Sequence, residues 1–503
     1  MKLVSSAAMR EIDRRSQDEY GIPELVLMES AGLRAWDVLR ARIDSIRRSA
    51  SICFAAGRGN NGGDALVMAR YAALDGFQAL VVLAAEEDSL GEQARLHAGI
   101  LRNLGVPVCE WPSAEDQCRK TIASSEVIVD GLAGTGIHGE LRSPLDAICA
   151  AINASDACVA AVDAPSGLGE HWRIGMPVVQ ARWSLTIGLP KTCLFAPSGR
   201  SLCGEIVTVP LSFPTALIES PDLPGELIES SDLDRLIEPL GAGDYKTRRG
   251  VVAVVGGAIG TTGAPVLAAD AAARCRAGLV TIYADASVHA IVASLVRSVM
   301  VRPFDNLEAA LEGADAVVVG PGWGTGGSRT SQLEMIVRGA RRGVIDADGL
   351  NLLAGVVADG SRIALDESWV LTPHPGELAR LLGVDTSSVT EEFFDASARL
   401  AARTGAVVVG KASTTVVAHP DGRFAVIDGM NAAMGTGGSG DVLAGAIGGL
   451  LAGGMDGWTA ARAAALAHQQ AGRSLRARVG LFLAEQLPAE IGRIVDVGGA
   501  ARR

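Results

Sequence analysis

A repeated order of short apolar run, polar or glycine-rich loop and helical run constrains this chain more than any other feature. Residues 51–56 are apolar, residues 57–64 (GRGNNGGD) form a loop, and residues 65–73 carry helical periodicity. Further apolar runs alternate with helical segments at 79–83, 127–129 and 159–162. Strands that alternate with helices form a parallel, doubly wound sheet. We therefore predict an α/β fold, with a Rossmann-like domain of three α/β/α layers at residues 1–212.

The same order returns after a break in composition. Several prolines interrupt a polar and acidic stretch after residue 212. Because such composition is typical of a linker, we predict one at residues 213–228. Alternation then restarts, with apolar runs before polar or glycine-rich loops at 251–255, 316–319, 344–345, 370–371 and 407–409. Residues 415–418 and 424–427, which flank Asp421 and Gly422, predict a β-hairpin. We predict a second α/β domain at residues 229–503.

Charge and composition exclude several classes of partner. A net charge of −12 and an aromatic content of 4% argue against nucleic acid, which needs a basic face or stacking platforms. The eight cysteines form no C-x-x-C pair, so we predict reduced thiols in a cytoplasmic protein. We expect no leader segment, and the apolar runs of the chain are too short to cross a bilayer. We predict no membrane partner.

Residues 435–441 (GTGGSGD) precede an apolar helical run and predict an anion site. Small residues let the backbone turn tightly and expose N–H groups at the positive end of a helix, where a phosphate binds. Asp441 lies in the first helical turn, where it can accept the proton of a hydroxyl as a phosphoryl group arrives. A flexible loop with Asp441 as an ordinary helix cap is the alternative.

Polar residues also follow successive strands in the first half. Asp130, Asp163 and Lys191 each come after an apolar run. Ligands of doubly wound sheets bind at the carboxyl ends of the strands, so three such residues together favour a site over three unrelated turns. The loop at 57–62 matches the dinucleotide fingerprint G-x-G-x-x-G, which is a weak signal by itself.

That loop also contains Asn60, Asn61 and Asp64, at positions where a dinucleotide fingerprint ordinarily has small residues. Amides and a carboxylate suggest hydrogen bonds to a polar ligand or oxygen ligands for a cation.

Several of these strings resemble known families when they are taken together and in order. The first half resembles the NAD(P)H-hydrate epimerase domain through residues 60–64 (NNGGD), Asp130 with 134–136 (GTG), 163–167 (DAPSG) and 188–191 (GLPK). The second half, from about 245 to 475, resembles the ribokinase-like ADP/ATP-dependent NAD(P)H-hydrate dehydratase. Its strings are GAP (263–265), GPGWG (320–324), DADGLN (346–351), TPHPGE (372–377), KASTT (411–415) and GTGGSGD (435–441).

The resemblance implies repair of nicotinamide cofactors damaged by hydration. The first domain would interconvert the R and S epimers of the hydrates NADHX and NADPHX. The second would phosphorylate the hydroxyl of the S epimer with ADP or ATP and release phosphate, which restores NAD(P)H. Phosphate leaves far more easily than hydroxide, so coupling to a nucleotide drives the dehydration.

The resemblance also implies roles for residues of the first domain. Asp163 would face the reacting ring as a catalytic residue, with Lys191 beside it. Asn61, Asp130 and Ser166 would bind a potassium ion. The hydrate would be bound by Asn60, Asn61, Gly62, Gly63, Asp64, Gly134, Thr135, Gly136, Ile137, His138, Gly139 and Glu140.

In the second domain, Asp441 would be the catalytic base. Ala264, Gly322, His374 and Asp441 would contact the hydrate, although His374 between two prolines is also explained as a turn residue. A magnesium ion would accompany the nucleotide. The nucleotide and its phosphates would be bound by Lys411, Ala412, Ser413, Thr414, Thr415, Gly437, Gly438, Ser439 and Gly440.

Two further expectations complete the interpretation. We expect a homo-oligomer. The alternative function is a ribokinase-like small-molecule kinase with a non-catalytic nucleotide-binding N-terminal domain. The stretch 168–173 (LGEHWR) departs from the acidic, glycine-terminated turn that the epimerase family usually has at this point.

Overall fold

The computed structural model describes residues 1–43, 50–137, 139–241, 243–304, 307–358 and 363–496. The chain divides into two compact units, Met1–Gly225 and Glu226–Arg503. Each unit has helices around a largely parallel sheet, so the predicted α/β class is confirmed. Within the described residues, every helix is too short or too polar to traverse a lipid bilayer.

The first unit is built from strands that alternate with helices. Its strands are β1 Lys2–Leu3, β2 Ser51–Ala56, β3 Gln78–Leu83, β4 Val108–Glu110, β5 Val127–Gly131, β6 Cys158–Val162, β7 Trp183–Ile187 and β8 Glu205–Val209. Its helices are α1 Ser6–Asp18, α2 Glu24–Ile43, α3 Asn60–Leu74, α4 Glu92–Asn103, α5 Trp111–Ser124, α6 Leu145–Asn153 and α7 Thr215–Ile218. The sheet has the strand order β4-β3-β2-β5-β6-β7-β8, and all its pairs are parallel.

Alternate side chains of the central strand β2 pack into the hydrophobic cores on opposite faces of the sheet. Phe54 packs with residues of α2 and α3, whereas Cys53 packs with residues of α5 and α6 on the other face. Both faces of a parallel sheet are covered by helices, so its strands are apolar on both sides. From β2 to β4 successive strands are added toward one edge of the sheet, and from β5 to β8 toward the other. The loops after β2 and β5 therefore leave the sheet on opposite faces and form a crevice of the kind in which ligands bind.

The segment 213–228, which we predicted as a linker, is partly structured. It includes the helix α7, and the side chains of Phe213 and Leu217 are buried with Met9 and Ile12 of α1. The division between the two units falls after Gly225.

The second unit repeats the alternation with more elements. Its strands are β9 Gly225–Leu227, β10 Val251–Val255, β11 Leu279–Ala284, β12 Met300–Pro303, β13 Ala316–Val319, β14 Gly343–Ile345, β15 Trp369–Leu371, β16 Val407–Gly410, β17 Thr414–Ala418 and β18 Phe424–Asp428. They follow the order β9-β18-β17-β16-β15-β14-β13-β10-β11-β12. Strands β10 to β16 pair in parallel, and β17 with β18 forms the predicted hairpin.

The helices of this unit cover both faces of the sheet. They are α8 Leu233–Leu236, α9 Gly263–Arg274, α10 His289–Leu295, α11 Leu307–Glu312, α12 Arg329–Gly339, α13 Asp348–Ala358, α14 Pro375–Leu382, α15 Thr386–Glu391, α16 Phe393–Thr404, α17 Ser439–Ala452, α18 Gly457–Val479 and α19 Leu487–Val495.

Helix α17 is buried in the centre of the second unit, because its glycines permit close packing. A β-carbon on Gly445 would lie 2.0 Å from the carbonyl oxygen of Ala268 in α9, and one on Gly448 would lie 2.3 Å from Val318 in β13. The helix is otherwise apolar from Val442 to Ala452 and all of these residues are buried. Its start at Ser439 is therefore fixed relative to the carboxyl ends of the parallel strands.

We expect Gly445→Ala to destabilise the second unit. Alanine favours a helix over glycine by about 1 kcal/mol, but overpacking against the backbone of α9 costs about 1–3 kcal/mol. Gly355→Ala is the matched control, because it makes the same change in α13 where no atom lies within 4 Å of the new carbon. Urea unfolding should give a lower midpoint for Gly445→Ala and a higher one for Gly355→Ala. If both variants unfolded at the same, raised urea concentration, the close packing of Gly445 against α9 would be contradicted.

Two candidate active sites

A cavity of about 1000 Å³ opens in the first unit at the carboxyl ends of β2, β5, β6 and β7. Most of the residues predicted for the first site line it. They are Asn60, Asn61, Asp64, Gly134, Thr135, Gly136, Ile137, Glu140, Asp163 and Lys191. His138, also predicted, lies outside the described residues.

Two glycines in the first turn of α3 lie behind the cavity wall. A β-carbon on Gly62 would lie 2.0 Å from the carbonyl oxygen of Gly57, and one on Gly63 would lie 2.5 Å from the sulfur of Met28. These two predicted ligand residues therefore position this turn. Gly139 has a φ of 89°, a left-handed conformation that favours glycine. The first turn of α3 places Asn60, Asn61 and Asp64 at the cavity.

Asp163 and Lys191 form a buried ion pair at the cavity wall. Lys191 is 1% exposed, and its ammonium donates to Oδ1 of Asp163 and to the carbonyl oxygen of Ile187, the latter at 2.6 Å. The backbone N–H of Ile187 also donates to Oδ1 of Asp163 at 3.2 Å. Asp163 has a φ of +68°, an unfavourable value for a residue with a side chain. The fold thus holds this carboxylate in a strained conformation at the strand end.

Asp130 and Ser166 lie together beneath the cavity. Oδ2 of Asp130 accepts the N–H of Ser166 at 2.8 Å, and its Oδ1 accepts the hydroxyl of Ser166 at 2.6 Å. Burial raises the pKa of Asp130 to about 6, against the opposing effect of these hydrogen bonds. Among the described residues, no lysine or arginine side chain pairs with Asp130.

The side-chain amide of Asn61 lacks a partner in this region. Its Nδ2 is buried without a hydrogen bond, and the amide lies beside Gly134, where a β-carbon would be 3.4 Å from Oδ1 of Asn61. A buried carboxylate without a basic partner fits a bound monovalent cation, for which Oδ1 of Asn61, and not its Nδ2 donor, can serve as a ligand.

Helix α1 contributes residues that the sequence analysis did not single out. Ser6, Met9, Arg10 and Asp13 line the cavity. Burial raises the pKa of Asp13 to about 6, with an opposing effect of Lys191, and burial raises the pKa of Asp64 well above its usual range. No local sequence motif marks Asp13 as facing a ligand.

The unusual stretch 168–173 supports this wall of the cavity. Oε1 of Glu170 accepts the backbone N–H of Ser6 at 2.7 Å, at the start of α1. Leu168 is buried. The departure from the usual family turn therefore supplies a carboxylate that fixes α1.

In the second unit, α17 starts at the loop of small residues. Gly438 caps the helix with a φ of 92°, and Asp441 lies in the first turn as predicted. A β-carbon on Gly440 would lie 3.2 Å from Nζ of Lys411. A lysine ammonium and the free N–H groups of a helix start thus converge on one region, which suits a phosphate. Gly437 faces open space, because a β-carbon on it would have no atom within 4 Å.

Lys411 is held by a buried carboxylate. Its Nζ lies 2.7 Å from Oδ1 of Asp346, which is 1% exposed and also accepts the hydroxyl of Thr372 at 2.7 Å. Asp346 follows β14, Thr372 follows β15, and Lys411 follows β16. Three neighbouring strand ends therefore build one polar cluster.

Asp441 belongs to the same cluster electrostatically. Burial, together with the nearby Asp346 and against the opposing effect of Lys411, raises the pKa of Asp441 to about 7. Burial also raises the pKa of Glu377. A carboxyl group with a pKa near neutrality can accept and release a proton at physiological pH. Among the described residues, no three His, Cys, Asp or Glu side chains are arranged as a metal-ligand set.

Ala264 and Gly322 come together at one side of this unit's strand ends. A β-carbon on Gly322 would lie 3.1 Å from that of Ala264, and Gly322 has a φ of 57°. The hydroxyl of Thr261 donates to the carbonyl oxygen of Gly322 at 2.8 Å. The two predicted hydrate contacts are thus neighbours.

His374 has a local structural role. Its Nδ1 accepts the N–H of Gly376 at 3.0 Å, and Glu377 accepts the N–H of His374 at 2.9 Å, which caps α14. Its side chain is half exposed, and its Nε2 lies 3.6 Å from Oε1 of Glu377. The turn role that we gave as an alternative is therefore present, and it leaves contact with a ligand open to test.

The predicted nucleotide stretch runs from Lys411 into β17. Ser413 is exposed, whereas Thr414 and Thr415 are buried, and the hydroxyl of Thr414 has no hydrogen-bond partner. Ala412 lies between Lys411 and Ser413 and is half buried.

A buried histidine, His468 of α18, was missed by the sequence analysis. Its Nε2 lies 3.0 Å from the carbonyl oxygen of Ser439, and burial lowers its pKa to about 4. A neutral imidazole donates to this carbonyl and supports the start of α17. Nothing in its apolar, helical sequence context distinguishes it from a core residue.

Comparison with known proteins gives each unit a family. A family model described as NAD(P)H-hydrate dehydratase matches residues 252–493, and one described as YjeF-related protein N-terminus matches residues 24–193. A ribokinase-like superfamily protein from Enterococcus faecalis superposes on 55% of this chain and 96% of its own, with a TM-score of 0.50 and 24% identity. The second unit therefore has the ribokinase-like fold.

Relatives align with both units at once. Bifunctional NAD(P)H-hydrate repair enzymes from Moorella thermoacetica and Coxiella burnetii are each 34% identical to this chain. The first alignment covers 94% of this chain and 92% of the relative, and the second covers 93% and 94%. These matches do not favour the alternative of a small-molecule kinase with a non-catalytic first domain. The resemblance is confirmed, and the chain belongs to the family of bifunctional NAD(P)H-hydrate repair enzymes.

Proposed function

We propose that the two units repair hydrated NADH and NADPH in consecutive steps. The first unit interconverts the R and S epimers, and the second dehydrates the S epimer with ADP or ATP. The observation that carries the second step is the convergence of Lys411, Gly440 and Asp441 at the start of α17. Transfer of a phosphoryl group to a hydroxyl requires groups that stabilise the phosphate charge and a group that accepts the hydroxyl proton. The helix start and the ammonium supply the first, and the carboxyl group supplies the second.

In the second unit Asp441 removes the proton of the substrate hydroxyl. The N–H groups at residues 437–440 and the ammonium of Lys411 stabilise the charge of the transferred phosphoryl group. The phosphate then leaves with the substrate's former oxygen, and loss of a ring proton restores the double bond of the reduced nicotinamide. Ala264, Gly322 and His374 contact the hydrate, while Lys411 to Thr415 bind the nucleotide.

In the first unit the hydrate occupies the cavity, with Asp163 at its reacting carbon. The ion pair with Lys191 holds the side chain of Asp163 in place. Asn61, Asp130 and Ser166 would hold a potassium ion, whose charge balances the buried carboxylate of Asp130. The remaining ligands of the hydrate are the residues of loops 60–64 and 134–140.

The proposal also includes a magnesium ion, a cytoplasmic location and a homo-oligomer. A magnesium ion accompanies the phosphates of the nucleotide, as hard divalent cations do. Eight free thiols suit a cytoplasmic protein. Exposed leucines at 481 and 483, at 86% and 61%, support a homo-oligomer that covers them.

We expect Asp441→Asn to abolish dehydration while nucleotide binding persists. Loss of a general base lowers kcat by about 10²–10⁴-fold. The assay incubates S-hydrate with ADP or ATP and follows the absorbance of the reduced nicotinamide. Because the base must be ionised, the wild-type rate should fall as the pH drops through about 7. Asp385→Asn, the same change at the exposed start of α15, is the control. Unchanged turnover in Asp441→Asn would remove it as the base.

We expect Lys411→Met to weaken nucleotide binding by about tenfold or more, which corresponds to about 1.4 kcal/mol. It should also destabilise the unit by about 3–5 kcal/mol, because Asp346 stays buried without its partner. The double variant Asp346→Asn/Lys411→Met separates the effects: it should recover stability in urea unfolding but not affinity in calorimetry. Recovery of affinity would exclude a direct phosphate contact.

We expect Asp163→Ala to stop the exchange of epimers and to leave dehydration of the S epimer intact. Exchange is followed by chromatographic separation of the R and S forms, with the uncatalysed rate subtracted. The second unit of the same sample is the internal control for protein quality. Exchange at the wild-type rate would show that Asp163 has no catalytic role.

A further inference from the structure

One face of α1 forms a wall of the cavity in the first unit. Ser6, Met9, Arg10 and Asp13 line it, at the spacing i, i+3, i+4 and i+7 that places side chains on one side of a helix. The match to the family model of this unit begins at residue 24, so α1 lies outside it. Asp13 is therefore a cavity carboxyl group on an element that the family model does not cover.

The start of α1 is fixed directly to the segment that carries Lys191. The N–H of Val4 donates to the carbonyl oxygen of Pro190 at 3.0 Å, and the N–H of Thr192 donates to that of Val4 at 2.9 Å. Glu170 accepts the N–H of Ser6 from the other side. Asp13 is thus presented to the cavity by a helix that is anchored next to the Asp163–Lys191 pair.

The cavity holds more partly or fully buried carboxyl groups than buried cations. Asp13, Asp64 and Asp163 line it, and Lys191 pairs with Asp163. Arg10, Arg58 and Arg142 also line the cavity but are exposed to solvent. Within the described part of the cavity wall, Asp13 and Asp64 therefore have no buried cation of their own.

The two carboxyl groups differ in their partners. The ammonium of Lys191 pairs with Asp163, whereas among the described residues Asp13 has no such partner. Burial raises the pKa of Asp13 to about 6; Lys191 opposes the rise, and Asp163 and Glu24 add to it. A site with one carboxylate and one carboxyl group that can keep its proton contains both a base and an acid.

We propose that Asp13 is the second proton-transfer residue of the epimerase site, acting as the general acid–base partner of Asp163. This inference rests on the proposed epimerisation. Asp64 lies deeper, at the first turn of α3 among residues that shape the loop, whereas Asp13 approaches from an independent element.

The reaction needs two such groups. Asp13 donates its proton to the hydroxyl of the hydrate, the carbon–oxygen bond breaks with its electron pair on oxygen, and water leaves. The lone pair of the ring nitrogen forms a carbon–nitrogen double bond. A water molecule then adds to the opposite face, Asp163 accepts its proton, and the electron pair returns to nitrogen. In the reverse direction the two residues exchange roles, and cavity water returns the proton from Asp163 to Asp13.

The test compares the full-length protein with its Asp13→Asn variant between pH 5 and pH 9. Exchange of R and S epimers is measured by chromatography. We expect kcat to fall by about 100-fold or more, with KM changed by less than about threefold. Because the acid must carry its proton, wild-type exchange should decline as the pH rises above about 6. The variant should lack this decline.

Two further variants exclude a merely structural effect. Asp13→Glu keeps the acid and should recover part of kcat together with the pH-dependent decline. Asp18→Asn removes an exposed carboxylate of the same helix and should behave as wild type. All samples should dehydrate the S epimer at the wild-type rate in their second unit.

Two outcomes would overturn the inference, and they are distinguishable. If the wild type exchanges epimers and Asp13→Asn does so within threefold of it, or retains the wild-type decline with pH, Asp13 is not the acid and the proposed function stands. If the wild type itself exchanges no epimers, the proposed function of the first unit fails, and this inference fails with it.

Discussion

A lysine–aspartate pair with one buried member, at the carboxyl end of the parallel strands, is the interaction on which both sites depend. Lys191 pairs with Asp163 after β6, and Lys411 pairs with Asp346 after β14. A buried charge without its partner is strongly unfavourable, so each pair fixes the loops that carry its two members. The pairs lie in different units, and in each unit the charges of the pair modify a pKa that burial raises at a neighbouring carboxyl group.

Small residues determine how close other groups approach these pairs. In the second unit Gly445 and Gly448 let α17 lie against α9 and β13, which brings Gly440 to Lys411. In the first unit Gly62 and Gly63 let the first turn of α3 pack closely behind the cavity wall. Tight packing of backbone against backbone therefore delivers N–H groups and carboxylates to the same place in each unit.

Much of this could be predicted from the sequence, because hydrophobic periodicity and turn-forming residues are local signals. The alternation of strands and helices, the hairpin at 414–428 and the first-turn position of Asp441 follow from runs of neighbouring residues. The α/β class and the family are confirmed. The roles of individual site residues stay predictions. His374 shows the ambiguity: the sequence favoured contact with a ligand over a turn role, and the structure shows that its Nδ1 caps α14.

The sequence by itself determined the elements, their order and the loops that bear polar residues, since these depend on residues close together in the chain. Only the tertiary structure decided that Asp13 of α1 and Glu170 of the unusual loop belong to the first site, and that His468 supports the second. These side chains act across long separations in sequence. Their burial, and the pKa values it shifts, arise only when distant segments pack together and exclude water.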